Sequence, residues 1–189
     1  MRAKLRPYHD SIEQSLDLTR AGVDRRRYLR FLEKSYGFIA ACEQRLDIGA
    51  APPSLGIERR LKAPLLRSNL RALGCSAPAI DRIAFCEQLP HVEHWPAALG
   101  YFYVIEGSTL GGQLLARHFR ERLGAGDEAL AFLLGYRHDT GLMWKEMVGV
   151  LEGAMCGGAA AEAITKTLIR IFSTLMPARR AASLLPPTA

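Results

Sequence analysis

From Ala97 to about Leu123 the chain reads as one long apolar helix, yet it holds the stretch Tyr103-Val-Ile-Glu106-Gly107-Ser108-Thr109-Leu110-Gly111-Gly112-Gln113, with three glycines in six residues. Each glycine in a helix interior costs about 1 kcal/mol relative to alanine, so their clustering asks for a compensating reason. Gly107 and Gly111 lie four apart and share a face, where the missing side chains let another backbone, or a flat ligand, come unusually close. On helix physics alone, a tight helix crossing is the commoner reason for such spacing. Tyr101, Phe102 and Tyr103, just upstream, are either ordinary core or the walls of an apolar pocket.

The rest of the chain is also helix-periodic. A first helix follows His9, carries Ile12, Leu16 and Leu18, and ends near Gly22. Asp24 is a candidate N-cap for a second, in which Tyr28, Leu32, Tyr36, Ile39 and Cys42 recur at spacings of three and four. Gly49 to Gly56, with Pro52-Pro53, reads as a loop. Ile57, Leu61, Leu65, Leu66, Leu70 and Leu73 predict another amphipathic helix closed by Gly74, and a short helix follows Pro78. Beyond the glycine-bearing helix, further helices are expected over Asp127 to Leu134, Thr140 to Met155 and Ala160 to Met176. No alternating run is long enough to defend as a strand, so the fold class is an all-α, single-domain helical bundle. Residues 1–176 form that domain, and the Ala-, Pro- and Arg-rich tail 177–189 is expected to be frayed or disordered.

With 189 residues, 49% of them hydrophobic and 23% charged, the chain can bury one sizeable core. Its apolar runs are too short and interrupted to span a bilayer, and the first residues lack a hydrophobic signal core, so a cytoplasmic protein is expected. Cys42, Cys75, Cys86 and Cys156 lack the spacing of a zinc site or a disulfide framework and read as reduced, mostly buried thiols. A net charge of +6 favours an anionic ligand or an acidic partner. No nucleic-acid motif accompanies it, and Arg25-Arg26-Arg27, Arg59-Arg60 and Arg179-Arg180 read as solvated helix faces.

His9 and Glu13 are four apart on the first helix. A neutral imidazole can ligate a metal through one nitrogen while a carboxylate, or a water bound to it, holds the other N–H; a haem iron on a proximal histidine requires this. Taken alone, a surface His–Glu pair is the commoner meaning. His91, His94, His118 and His138 make no second ligand set.

Two segments together resemble the bacterial haem oxygenases. Tyr103 to Gly112 is similar to the distal-helix pattern YVxEGSxLGG, and Met1-Arg2-Ala-Lys-Leu5-Arg6-Pro-Tyr-His9-Asp-Ser-Ile-Glu13 resembles the proximal segment LRxxTxxxHxxxE in register. The resemblance implies haem, both cofactor and substrate, sandwiched between the His9 helix and the glycine helix. His9 would ligate the iron and Glu13 would link to its other ring nitrogen. Gly107 and Gly111 would let the backbone approach the porphyrin, with Tyr103, Ser108 and Gly112 also contacting it. Arg2, Arg6 and Lys145 are the expected propionate anchors, and Lys166 and Arg170 the alternatives. Ser108 stands where animal members carry an aspartate, so main-chain groups and water near Ser108 and Gly111 would serve the proton relay.

The activity so implied is the oxidative cleavage of haem to biliverdin, carbon monoxide and ferrous iron, with molecular oxygen as co-substrate. Electrons would come from an external reductase or ferredoxin, and a bilin-binding photoreceptor such as a bacterial phytochrome is a conceivable acceptor of the product. Two other classes stay open: a haem-binding carrier or sensor that does not degrade its ligand, and a bundle of the same fold that takes another small ligand, as related thiamin-salvage proteins do.

Overall fold

The computed structural model describes residues 24–175. Its helices are α1 Arg25–Glu43, α2 Ala63–Ala72, α3 Ala77–Asp81, α4 Trp95–Leu123, α5 Ala131–Leu134, α6 Thr140–Ala154 and α7 Gly158–Leu175, and no strand occurs among the described residues. The all-α class expected from periodicity is the class observed. The first predicted helix, with His9 and Glu13, and the tail 177–189 lie outside the described residues.

α4 is the axis of the bundle. It packs against α7, α6 and α5, while α2 joins α1 to α5 and to the 3-10 turn Asp127–Leu130. Leu99, Phe102, Ala116 and Phe119 of α4 meet Leu32, Leu66, Leu70, Ile164 and Ile171 in one buried core. At its start Pro96 occupies the first turn, where its missing N–H costs nothing. Gly124 ends it in the left-handed conformation, φ 62°, and its N–H donates to the Arg120 carbonyl.

Asp24 caps α1 as its sequence suggested, accepting from the Arg27 amide at 2.7 Å. Tyr28, Leu32, Tyr36 and Ile39 are buried along that helix. Near its end the chain following α3 crosses so closely that a Cβ on Gly37 would sit 2.5 Å from the Ala84 carbonyl oxygen. The Cys86 amide donates to the Gly37 carbonyl at 3.0 Å.

Three expectations need correction. The helix predicted from Ile57 begins only at Ala63: Ile57–Arg60 is a 3-10 turn launched from left-handed Gly56, and Leu61 is extended. The carboxylate that satisfies the first amides of α2 is remote in sequence, for Glu43 at the end of α1 accepts from the Lys62 and Ala63 N–H groups at 2.7 and 3.0 Å. Arg60, read as part of a solvated pair, is fully buried. Of the four thiols, all free, Cys42 alone is buried and Cys156 is exposed; burial pushes the Cys42 thiol up to about 12.

Candidate functional site

At about 100° per residue, Gly100, Tyr103, Gly107, Gly111 and Leu114 form one stripe along α4. The stripe opens progressively. A Cβ on Gly100 would meet the Ile164 carbonyl oxygen at 2.8 Å, so α7 closes that end. Tyr103 is buried with its ring 5.3 Å from that of Trp144 on α6. Among the described residues, a Cβ at Gly107 would touch only the Trp144 ring, at 3.6 and 3.7 Å, and one at Gly111 would meet nothing within 4 Å. Leu110 and Leu114, on the same helix beside this bare strip, leave 48% and 70% of their surface exposed. The result is a smooth apolar face of main chain, walled at one end by an indole, and this is a surface a flat apolar ring system fits.

Gly112 belongs elsewhere. Although it follows Gly111 in sequence, it is turned by a third of a helical revolution, and a Cβ on it would lie 2.5 Å from the Leu133 carbonyl oxygen. Its missing side chain is thus accounted for by contact with α5 rather than by a ligand face. Ser108 is exposed, and its hydroxyl donates back to the Ile105 carbonyl at 2.7 Å, which leaves the oxygen's lone pairs directed outward as acceptors. Lys145, next to Trp144, is exposed on α6. Lys166 pairs with Glu162 at 2.7 Å on α7, the helix that closes the Gly100 end, and Arg170 is exposed on the same helix. Of the expected site residues, then, Tyr103, Gly107, Ser108 and Gly111 are brought together; Arg2, Arg6, His9 and Glu13 lie outside the described residues.

On the flank of α4 next to the stripe sits a closed ionic cluster that periodicity and motif did not reveal. Glu106 is fully buried; one carboxylate oxygen accepts from Lys62 Nζ at 3.2 Å and from the Tyr136 hydroxyl at 2.5 Å, and the other from Arg60 Nη1 at 3.1 Å. Arg60 reaches further, donating through Nη1 to the Met143 carbonyl at 3.0 Å, through Nη2 to Glu146 at 3.0 Å and through Nε to the Leu55 carbonyl at 2.8 Å. Burial pushes the Lys62 ammonium below its usual range while Glu106 pulls it back up, and burial raises the Tyr136 phenol. Glu43, beside the cluster, is held above its ordinary value by burial, partly offset by the two amides it caps. One signal was available in the sequence: from Trp95 to Ala116, Glu106 is the only charged residue. A lone carboxylate in so apolar a helix needs buried cations, and burying it unpaired costs several kcal/mol.

Among the described residues no group of three histidine, cysteine or acidic side chains could hold a metal ion. No described helix is long and apolar enough to cross a membrane. The chain is 31% identical over 140 residues, 73% of its own length and 79% of the relative's, to a protein of Xanthomonas campestris pv. campestris (strain 8004) named "Heme oxygenase". No family model matches the chain, and no solved structure matches it.

Proposed function

The chain belongs to the haem oxygenase family, and from that premise we propose that it is a haem-degrading oxidoreductase producing biliverdin, carbon monoxide and ferrous iron. The observation that carries the reading is the bare main chain at Gly111, where no described residue lies within 4 Å of a would-be Cβ, bordered at Gly107 by the Trp144 ring. Bound haem would supply the iron that activates oxygen and would itself be the compound consumed.

This chain's own residues have definable tasks. Gly107 and Gly111 remove side chains from the face that would take the ring. That admits a small diatomic co-substrate beside the main chain and excludes bulkier ligands. Trp144 and Tyr103 bound the strip on the side of α6 and keep bulk water from that end. The Ser108 oxygen, its proton engaged by Ile105, can accept a hydrogen bond from an ordered water and so orient a proton donor. His9 is assigned as the iron ligand, with Glu13 holding its second nitrogen; Arg2, Arg6 and Lys145 are assigned to the propionates. The net charge of +6 suits an acidic electron donor, a ferredoxin or a reductase in the cytoplasm, whose docking slows as salt rises.

The test is direct. Purified protein loaded with haem, then given oxygen and a reductant, should lose its Soret band and yield a bilin spectrum, and chromatography of the product identifies the isomer. His9→Ala should abolish the parent spectrum and turnover, with added imidazole restoring part of both. A stable haem complex that never bleaches would assign the chain to carriage or sensing of haem, and failure to bind haem at all would overturn the reading.

A further inference from the structure

We infer that Arg60 is a positioning residue for the haem face: it fixes α6 against α4 so that Trp144 stands over Gly107 and defines where the bare strip begins. The inference rests on the reading of that strip as a haem surface, but its structural part stands on distances alone. Arg60 Nη1 binds Glu106, the residue immediately before Gly107, at 3.1 Å. The same nitrogen donates to the carbonyl of Met143, the residue immediately before Trp144, at 3.0 Å. Nη2 binds Glu146, two residues beyond Trp144, at 3.0 Å, and Nε anchors the guanidinium to the Leu55 carbonyl at 2.8 Å. One planar fork therefore ties together the residues that adjoin Gly107 on α4 and Trp144 on α6.

The clamp has no slack to spare. Arg60 and Glu106 are both fully buried, so the bond between them cannot be exchanged for bonds to water. Met143, whose carbonyl is held, is itself buried, and the Trp144 ring next to it lies within 3.7 Å of the position a Gly107 side chain would take. A translation of α6 by an ångström would either press the indole onto the Gly107 main chain or expose more of the strip. Because the ring system must lie where the indole does not, the position of α6 sets how far along α4 it can slide, and so which edge faces the Gly111 end. Lysine cannot replace this arginine: a point ammonium can hold Glu106 but cannot reach four acceptors in a plane.

Arg60→Lys and the milder Glu146→Gln, which loosens only one of the two contacts to α6, at a residue 39% exposed on its side chain, are to be made in a Trp95→Phe background so that Trp144 is the sole indole. Trp144 emission is read first in haem-free protein, with circular dichroism confirming the helical fold; haem titration and the biliverdin isomer ratio follow. Arg60→Lys should shift Trp144 emission to the red and broaden its acrylamide quenching, weaken haem by about threefold to tenfold, the effect of losing one or two charge-assisted bonds at one remove, and change the isomer ratio. Glu146→Gln should move the same signals the same way by less. Emission, quenching and haem spectrum all unchanged in folded Arg60→Lys would show Arg60 to be a stabilising residue only and overturn the inference. Should Arg60→Lys not fold, Glu146→Gln decides by the same signals. Parent protein that fails to bind haem would sink the proposed function instead, while the emission shift in haem-free protein still reports on the clamp.

Discussion

Gly111 and Gly112 are neighbours in sequence and face opposite circumstances. Gly112 is pressed on by the Leu133 main chain, 2.5 Å from where its Cβ would be, whereas no described residue comes within 4 Å of a Cβ at Gly111. The same division holds along the second half of α4, since its first half, Ala97 to Glu106, is buried on every face. One side is closed by backbone contacts and by the Arg60–Glu106–Lys62 cluster, and the other is left smooth and open. Glycine identity does not distinguish a packing contact from a ligand platform; the neighbour does, and the neighbour comes from elsewhere in the chain.

The hardest way to break the closed side is to remove its central carboxylate. Glu106→Leu leaves the buried Lys62 ammonium without its carboxylate and Arg60 with Glu146 alone. The expected cost is about 3–5 kcal/mol, typical of breaking a buried ion pair from one side. Urea denaturation followed by circular dichroism measures it, and a loss under 1 kcal/mol would mean that water enters the cluster.

Next in size is the contrast between the two glycines. Gly112→Ala pushes a Cβ onto a carbonyl oxygen of the main chain, which cannot swing aside, and should cost about 1–3 kcal/mol. Gly111→Ala should instead gain up to about 1 kcal/mol from helix propensity, because its Cβ enters open space. The stabilised variant should nonetheless show an altered haem spectrum or isomer ratio. Equal stability changes for both would erase the distinction; a Gly111→Leu variant that binds and turns over haem normally would show the open face to be unused.

How much of this was legible in the sequence follows from where each determinant sits. α1 was readable because its cap, Asp24, and its stripe, Tyr28 to Ile39, are local, and α4, α6 and α7 appear within two residues of their expected ends. The start of α2 was not readable. Its capping carboxylate is Glu43, 20 residues before Ala63, and the apolar spacing of Ile57 and Leu61 mimicked a helix that is in fact a 3-10 turn and an extended residue. Arg60 was misread for a related reason: adjacent arginines normally mark a solvated face, and only the three-dimensional placement of Glu106 draws one of them inward. The open strip was legible as two glycines four apart, but its separation from Gly112 required α5.

The smallest expected effect concerns pH, and it too should fall on the closed side, where Glu43 lies. Glu43 accepts from the Lys62 and Ala63 amides and from the Tyr101 hydroxyl at 3.2 Å, and burial holds its carboxyl above its ordinary value of 4.5 in the folded chain. In the unfolded chain the carboxyl ionises near the ordinary value. Between the two values the folded state binds more protons, so stability falls as pH rises through the folded-state pKa and is greatest below the unfolded one. Glu43→Gln removes this dependence, so the urea midpoint of the parent minus that of the variant should decline on going from about pH 4 to neutrality. Subtraction cancels the other carboxylates, which titrate alike in both proteins. A difference that rises over the same range would mean that the capped amides and Tyr101 outweigh burial, placing Glu43 with the charge-stabilised groups of the cluster rather than among those that burial destabilises.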